Sequence, residues 1–596
     1  YISLKMTIMK KYILSVACAV FATFGLQSCL DFDIPGDEFT GNDELKDDVV
    51  YHGQADLIDY HKEISEEGFA KAETALSRTF GQLLTAQYSM RGGKEGNMPG
   101  GHAYQYQFSL GVDNYAGYLC LPHNFDGRIA STYYVNRDFN SGPNGSFTIT
   151  KNNLTPMLNH PDIDSIPEIK AIALLLYDYA SQEMADIYGP FPYINYKENK
   201  EEHPFTYNTL SEIYATIVDN IDTISACFKH YPQRPEWYKK KVDKLLMSYD
   251  AITTDWKIDT WDRFANSLKL RMAMRTVKVN PERSRKWAEE AIEAGVVEKL
   301  SQEIALDPMF VGFSNPLLEI SQTWGDTRLN ASFESLLMSL KHPYTTYLFE
   351  KNSNPLVNRD DNNKILAANT RVVGLRAGVR MIPGQSYDNN PRVAYSRIGS
   401  SYIAMAPLYF MKLSEVDFLR AEGAIRGWNM GESAQVLYER GIDNADVENR
   451  ALGSRYATKL PEYKSLDTPV AYVYEDPMDD ANNMVSVTKI GVKWNEGDDL
   501  ETKLEKIITQ KYISLFPYSY EAWSELRRTG YPKLFPVLNV EDGDRSLKQG
   551  DLLRRMPYPG DTDAIKQDIN DTGLKALGGS DVQATRLWWD IDKPNF

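Results

Sequence analysis

Cysteine and histidine are scarce in this chain of 596 residues, which holds four cysteines and eight histidines. No HExxH pair and no CxxC spacing occurs, and the two CxxH spacings, Cys120 with His123 and Cys227 with His230, each offer only two of the four ligands of a structural zinc site. Outside the N-terminal region only Cys120 and Cys227 remain, and two cysteines make no disulfide framework. They either pair or are buried singly, and we favour two buried thiols. A zinc hydrolase and a disulfide-rich scaffold are therefore excluded.

Positive charge and long apolar runs are also scarce. The chain has 65 lysines and arginines against 82 aspartates and glutamates, which gives a formal net charge of −17. Nucleic-acid binders need clustered Lys and Arg side chains to displace counterions from phosphates, so we expect no nucleic-acid partner. Beyond the N-terminus no run reaches the roughly 18 apolar residues of a membrane-spanning helix. With 42% apolar and 12% aromatic residues, the rest of the chain is predicted to be globular and water-soluble.

The N-terminal region is typical of an exported protein. Two lysines precede an apolar run over residues 12–26, and a Gln-Ser-Cys sequence then ends at Cys29. We interpret residues 1–28 as a signal peptide whose end resembles a bacterial lipobox, in which the cysteine becomes lipidated. A plain secretory signal that contains a cysteine is the alternative. Residues 29–50 are acidic and contain Gly and Pro, which predicts a flexible tether that resembles the export signal of some Gram-negative surface lipoproteins.

Apolar residues recur at spacings of three and four in several segments, which predicts amphipathic helices. Three pairs of neighbouring helices result, over residues 168–189 with 209–228, 261–272 with 280–295, and 414–427 with 432–445. A further helix is predicted over residues 500–515, with another around Trp523. Helical pairs that approach closely through small residues are typical of tetratricopeptide repeats. We therefore predict a mainly α fold of tetratricopeptide-like helical hairpins.

Long segments without a helical period separate these pairs, over residues 85–165, 296–410 and 447–497. Structureless loops of this length are improbable inside a compact protein, so the insertions should carry short strands and helices of their own. Because binding residues concentrate on loops held by a rigid scaffold, we expect the function to reside in these insertions. Residues 51–596 are predicted to form a single domain.

Several motifs spread along the chain resemble those of SusD/RagB-type nutrient-binding lipoproteins. They lie at residues 101–105 (GHAYQ), 113–115 (DNY), 266–273 (NSLKLRMA), 415–422 (EVDFLRAE), 507–512 (IITQKY), 521–523 (EAW), 527–532 (RRTGYP), 554–559 (RRMPYP) and 587–590 (LWWD). The resemblance implies about four tetratricopeptide-like helical pairs, a lipid anchor on the outer membrane and partnership with a SusC-like TonB-dependent barrel. The fourth pair is expected from the first helix, near residues 55–88, and the last, near residues 500–529.

These shared motifs contain features typical of a scaffold. Arg527 and Arg528 lie where cations interact favourably with a helix C-terminus, and Gly530 is suited to cap that end. Glu422 lies on a small-residue helix face and is predicted to pair with a buried arginine such as Arg271. We therefore expect structural rather than catalytic roles for these residues.

Catalytic and cofactor motifs are missing. The sequence at 92–94 lacks the remaining residues of a phosphate-binding loop, and no G-x-S-x-G elbow occurs. Acidic residues are too numerous to single out a glycosidase pair. Clusters at 360–363 and 479–483 offer oxygen ligands for Ca²⁺ but lack EF-hand spacing, so we favour solvated loops. The chain is predicted to be neither an enzyme nor a cofactor carrier.

The 37 tyrosines and 10 tryptophans supply the flat aromatic surfaces on which sugar rings stack. Trp324 lies outside any helical stripe and is followed by Asp326 and Arg328, an acid and a forked donor. A similar mixture occurs in a Gly-rich loop after the first helix, and the resemblance implies that the ligand site is built largely from these two regions. The predicted ligand-binding residues are Tyr88, Arg91, Asn97, Trp324, Asp326 and Arg328. The alternative is that Trp324 anchors its loop in the core. Tyr104, Tyr106, Tyr115 and Tyr118 are expected to pack internally.

Together these features predict a cell-surface, lipid-anchored protein of the outer membrane that captures an oligosaccharide and delivers it to a SusC-like TonB-dependent transporter. A peptide-binding uptake lipoprotein is the alternative within the family. A purely structural lid on the transporter is an alternative from a different class.

Overall fold

A computed structural model describes residues 50–93, 99–123, 133, 141–352, 371–380, 392, 395–540 and 543–596. The predicted signal peptide, the tether with Cys29, the loop residue Asn97 and the acidic cluster at 360–363 lie outside the described residues. The account of the structure is confined to the described parts of the chain.

The fold is mainly helical, as the sequence predicts. In chain order the longer helices of the described residues are α1 (Glu66–Ala75), α2 (Ser77–Ser89), α3 (Gly142–Leu158), α4 (Pro167–Tyr188), α5 (Leu210–His230), α6 (Glu236–Tyr249), α7 (Ile258–Arg275), α8 (Pro281–Ala294), α9 (Ala331–Ser339), α10 (Leu413–Ile425), α11 (Ala434–Ala451), α12 (Leu500–Leu515) and α13 (Ser519–Thr529). Residues 48–596 form one compact unit.

The three helical pairs predicted from periodicity are confirmed, since α4 packs on α5, α7 on α8 and α10 on α11. The helices also pack between pairs, with α5 against α7 and α7 against α10. Helical pairs stacked in this way give the tetratricopeptide-like scaffold.

The predicted fourth pair is wrong in its partners. Helix α2 packs against α3, and α12 packs against α13 and α10. The sequence offered no period for α3 because the helix contains Gly142, Pro143 and Gly145 in its first turn and Pro156 near its end. Proline and glycine are poor helix formers, so tertiary packing on α2 and α4 decides this helix.

Predicted caps define several helix boundaries. The Thr209 hydroxyl accepts a hydrogen bond from the Glu212 backbone N–H, and the Glu212 side chain accepts one from the Thr209 N–H, which completes the capping box of α5. Asn280 caps α8 by accepting from the Arg283 N–H. Gly530 ends α13 in the left-handed conformation with φ of 75°, a conformation that glycine adopts without a Cβ penalty.

The loop-rich insertions contain short strands, which pair in three antiparallel two-stranded sheets. They are β1 (Leu119–Cys120) with β3 (Arg328–Leu329), β2 (Ile304–Leu306) with β4 (Leu408–Met411), and β5 (Val473–Tyr474) with β6 (Met484–Val485). Short helical turns also occur in these segments, at Gly101–Tyr104, Val112–Tyr115, Pro308–Val311, Thr345–Leu348 and Ser400–Ile403. The β1–β3 pair joins two insertions that lie more than 200 residues apart in the chain.

Several charged residues of the shared motifs lie in a buried ionic network between helices. Arg275 of α7 binds Glu521 and Glu525 of α13 and Asp186 of α4, and the distance from Arg275 Nη1 to Glu525 Oε1 is 2.6 Å. Lys511 of α12 also reaches Glu521, at 2.8 Å. Buried charges are tolerated only when paired and hydrogen-bonded, so this network holds the helices in register.

Glu422 belongs to the same network, with a different partner from the one predicted. Its carboxylate binds Arg528, at 2.6 Å, and Arg426, at 2.9 Å, whereas Arg271 pairs with Glu415 at 2.8 Å. Which arginine binds Glu422 depends on how the helices pack against each other. The apolar period along a single helix does not determine that packing.

Cys120 and Cys227 are both buried and free, as expected. Burial raises the pKa of both thiols well above the ordinary value. Within the described residues, no helix combines the length and apolarity needed to cross a membrane. The same residues contain no cluster of three or more His, Cys, Asp or Glu side chains arranged to hold a metal ion.

Asp113 provides a prediction about pH. Burial raises the pKa of this carboxyl to about 7, and the nearby hydroxyls of Ser519 and Ser109 offset only part of that effect. Between about pH 4 and pH 7 the unfolded chain loses this proton while the folded protein keeps it, so stability falls as pH rises through that interval. Asp113→Asn, which is neutral throughout, should therefore raise the unfolding midpoint by about 2–4 °C at pH 8 and by much less at pH 4. Thermal unfolding followed by circular dichroism at both values checks this, and a gain that is equal at pH 4 and pH 8 contradicts it.

Candidate functional site

The chain just after the Gly-rich loop, at Gly101, meets the Trp324 region in the structure. A Cβ atom added to Gly101 would lie 2.5 Å from Trp324 Cη2 and 2.6 Å from Glu319 Oε2. Both distances are far below normal contact, so glycine is needed for this close approach. The chain segment before β1 therefore packs directly on the segment before β3.

Trp324 forms the aromatic centre of this region. It ends a π-helical turn, Glu319–Trp324, which Gly325 closes in the left-handed conformation with φ of 72°. The indole is half-buried, and the exposed imidazole of His102 packs on it with ring centroids 4.7 Å apart and planes tilted by 36°. We call these two side chains the Trp324–His102 stack.

A polar cluster centred on Asp326, two residues after Trp324 in the chain, lies next to the stack. Asp326 accepts a hydrogen bond from Gln105 Nε2 at 2.7 Å, and His123 Nε2 lies 2.8 Å from Asp326 Oδ1. The Asp326 backbone N–H donates to the Ile320 carbonyl at 3.0 Å, which fixes the turn. The side chains of His123 and Asp326 are 23% and 16% exposed, so solvent reaches both. Carboxylate, amide and imidazole groups thus lie next to the aromatic surface.

Arg328 is not on this surface, which corrects its predicted role as a forked donor to the ligand. Its side chain is fully buried, and Nη1 donates to the carbonyls of Gly325 at 2.7 Å and Thr327 at 2.8 Å. These bonds give hydrogen-bond donors to two backbone carbonyls of the turn after Trp324. Arg328 is therefore a scaffold residue that holds the turn.

Arg91, which was predicted to contact a ligand, also lies in the interior. It is 1% exposed, and its guanidinium binds Glu183 through two hydrogen bonds of 2.9 and 3.1 Å. It also lies 4.0 Å from the centre of the Phe410 ring. Burial lowers the pKa of Arg91, but Glu183 outweighs burial and raises it. The prediction that Arg91 contacts a ligand is thus wrong for this structure.

Tyr88 lies at the surface end of α2. It is half-buried, burial raises its pKa, and its ring packs edge-on against Phe313, with centroids 6.2 Å apart. Gly93, at the start of the Gly-rich loop, donates its N–H to the Tyr88 carbonyl at 2.9 Å. Tyr88 remains available as an aromatic surface beside this loop.

The four tyrosines expected to pack internally divide into two groups. Tyr104, Tyr115 and Tyr118 are buried, as expected, whereas Tyr106 is 43% exposed. Tyr106 follows the short helical turn in a π-helical segment, Gln105–Ser109, and the sequence gives no period from which its direction could be inferred.

Sequence reasoning missed His102, His123 and Gln105 as members of this region. His102 and Gln105 lie in a segment that was interpreted only as a shared motif. A usable signal was present, because the Gly-Gly pair before His102 marks a close approach of the backbone to another group.

Comparisons with known families and solved structures all identify SusD-like proteins as similar to this chain. The model of the SusD-like family, described as SusD and RagB outer membrane lipoproteins, matches residues 58–590. A chitin-binding SusD homologue from Flavobacterium johnsoniae is 29% identical, with a TM-score of 0.75 over 88% of this chain and 100% of the other. A SusD homologue from Bacteroides thetaiotaomicron is 27% identical, with a TM-score of 0.70 over 87% and 99% of the two chains. A third, from Bacteroides ovatus, is 26% identical, with a TM-score of 0.71 over 87% and 100%. Comparison with curated protein sequences gives no match.

Proposed function

Because the chain belongs to the SusD-like family of outer membrane lipoproteins, we propose that it captures oligosaccharides at the cell surface and delivers them to a SusC-like TonB-dependent transporter. Members of this family are binding proteins, so the proposed role is recognition without catalysis and without a cofactor. The chitin-binding relative from Flavobacterium johnsoniae supports a glycan as the ligand.

The observation that carries the proposal is the Trp324–His102 stack beside Asp326. An aromatic ring packs on the apolar face of a sugar, and neighbouring carboxylate and amide groups satisfy its hydroxyls. Asp326 and Gln105 supply such groups next to Trp324. In this proposal Trp324, Asp326 and Tyr88 contact the glycan, and Arg91 and Arg328 support the site from the interior. Asn97 stays a predicted contact.

A binding panel tests this proposal against the two alternatives. The purified soluble part, residues 51–596, is titrated by calorimetry with neutral oligosaccharides, among them chitin fragments, and separately with short peptides, all without the transporter. The proposal expects heat from at least one glycan and none from the peptides. Peptide binding alone would indicate the peptide-uptake alternative, and no binding to either class would favour the structural lid.

Anchoring through Cys29 is the second part of the proposal, in which residues 1–28 are removed as a signal peptide and residues 29–50 form the tether. Cys29→Ala should release the protein from the membrane while leaving the unfolding midpoint unchanged, because the lipid is then absent and the folded body is untouched. Fractionation of cells that lack the transporter, followed by immunoblotting, measures this. Cys18→Ala, which removes a cysteine inside the signal peptide, is the matched control and should stay anchored. Retention of the Cys29→Ala protein in high-salt-washed outer membranes would contradict the assignment.

A further inference from the structure

A small cavity lies between the loop after α9 and helices α11 and α12. It has a volume of about 30 Å³, and its described lining comes from the segments 342–348, 402–418, 442–463 and 510–516. The structure describes each of these segments without a gap. A bound water needs about 10–15 Å³ of such a cavity and two to four polar partners. The cavity therefore has room for one or two water molecules and for no larger ligand.

Two buried polar atoms of this lining have no hydrogen-bond partner among the described residues. They are Nδ1 of His342 and Nε2 of Gln510. Gln510 is 4% exposed, and its Oε1 accepts a hydrogen bond from the Tyr463 hydroxyl at 2.7 Å. The His342 ring packs at right angles to the same Tyr463 ring, with centroids 5.2 Å apart. Because a buried polar atom without a partner costs free energy, both atoms favour a molecule that can bind them.

The charged side chains of the lining are paired within the protein. Lys412 Nζ lies 3.0 Å from Glu448 Oε2. Asp446 Oδ2 lies 2.8 Å from Arg450 Nε, and its other oxygen accepts a hydrogen bond from the Tyr344 hydroxyl. Each of the three charged side chains of the described lining thus has a partner of opposite charge, so the cavity does not favour an ion.

His342 and Gln510 offer neutral hydrogen-bonding groups to the cavity. Burial lowers the pKa of His342 to about 3, so its imidazole is uncharged at neutral pH. Its Nδ1 then accepts or donates one hydrogen bond according to the tautomer, and Nε2 of Gln510 donates. A water molecule both donates and accepts, so it satisfies this pair of atoms with either tautomer.

We propose that the cavity binds an ordered water molecule that bridges His342 Nδ1 and Gln510 Nε2. His342 belongs to the loop that follows α9, and Gln510 belongs to α12. The water therefore joins this loop to the helix through two hydrogen bonds. It is a part of the scaffold, and the inference does not depend on the proposed function.

A crystal structure of the protein at neutral pH, at a resolution that shows ordered solvent, tests the bridge directly. The expected result is a water peak at about 2.7–3.2 Å from both His342 Nδ1 and Gln510 Nε2. Absence of a peak in the cavity, or a peak that binds only one of the two atoms, overturns the proposal. A side chain that fills the cavity overturns it as well.

Paired substitutions test the same bridge in solution. Gln510→Met keeps the length of the side chain and removes the amide, and His342→Phe removes Nδ1. Each should lower the midpoint of urea unfolding, and the double variant should lower it by less than the sum of the two losses, because either substitution already breaks the bridge. Losses that are strictly additive overturn the proposal. Gln567→Met, at an exposed position outside the lining, is the matched control and should add independently to His342→Phe.

Tyr463 contacts both residues and could couple them without water. The paired substitutions are therefore repeated in Tyr463→Phe, which keeps the ring against His342 and removes the hydroxyl that binds Gln510. Non-additive losses that persist in this background support the water bridge. If the losses become additive there, Tyr463 carries the coupling and the proposal is overturned.

Discussion

Replacing Glu521 with alanine is expected to lower the free energy of unfolding by about 3–5 kcal/mol. Glu521 is buried in α13 and binds Arg275 and, at 2.8 Å, Lys511. Burial on its own raises the pKa of Glu521, but Arg275, Lys511 and Arg271 together outweigh it and hold the pKa below the ordinary value. Removing the carboxylate leaves Arg275 and Lys511 buried with one counterion fewer, which is the costly way to break a buried ion pair. Urea unfolding followed by circular dichroism measures the loss.

An exposed ion pair gives the matched control. Arg285 in α8 is half-exposed and binds Glu289 one helical turn later at 2.9 Å. Surface pairs of this kind contribute about 0.3–0.5 kcal/mol, so Arg285→Ala should change the free energy of unfolding very little. If Glu521→Ala costs no more than Arg285→Ala, the network does not hold the helices as inferred.

Trp324→Ala should reduce glycan affinity at least thirtyfold, which corresponds to about 2 kcal/mol of binding free energy. The reason is that the indole supplies the large flat surface of the site, and its removal also takes away the surface on which His102 packs. Because Trp324 is only half-buried, the unfolding midpoint should change much less than it would for a core tryptophan. Calorimetry and thermal unfolding on the same variant measure the two effects.

The opposite pattern would identify Trp324 as a loop anchor. Truncating a fully buried tryptophan costs about 3–5 kcal/mol of stability, so a large drop in midpoint with unchanged affinity per folded molecule assigns Trp324 to the core. Trp588→Ala is the control for removing a half-buried indole, because Trp588 packs on Tyr214 and not in the site. It should leave glycan binding unchanged.

Helices with a regular apolar period could be predicted from the sequence, and irregular ones could not. Helix α5 has both an apolar face and a capping box, so local features were sufficient. Helix α3 has neither, since glycine and proline interrupt its pattern and its place depends on packing against α2 and α4. The pairing of the first and last helices was wrong for the same reason, because it depends on contacts between distant parts of the chain.

Loop composition around Trp324 predicted a site in a region where the structure does place polar side chains beside an aromatic ring. Burial, which the sequence does not show, decided the roles of Arg91 and Arg328. Both arginines occur beside polar and aromatic residues in the sequence, as a ligand contact would. Only the three-dimensional position of Glu183 and of the Gly325 carbonyl shows that their charges are used inside the protein.

The buried ionic network has a consequence for the order in which the chain folds. Arg275 finds Glu521 and Glu525 at sequence separations of 246 and 250 residues. During synthesis the arginine therefore emerges long before its carboxylates, and contacts of such high separation close late and slowly. The buried charge of Arg275 therefore lacks these two carboxylates until α13 has been synthesised.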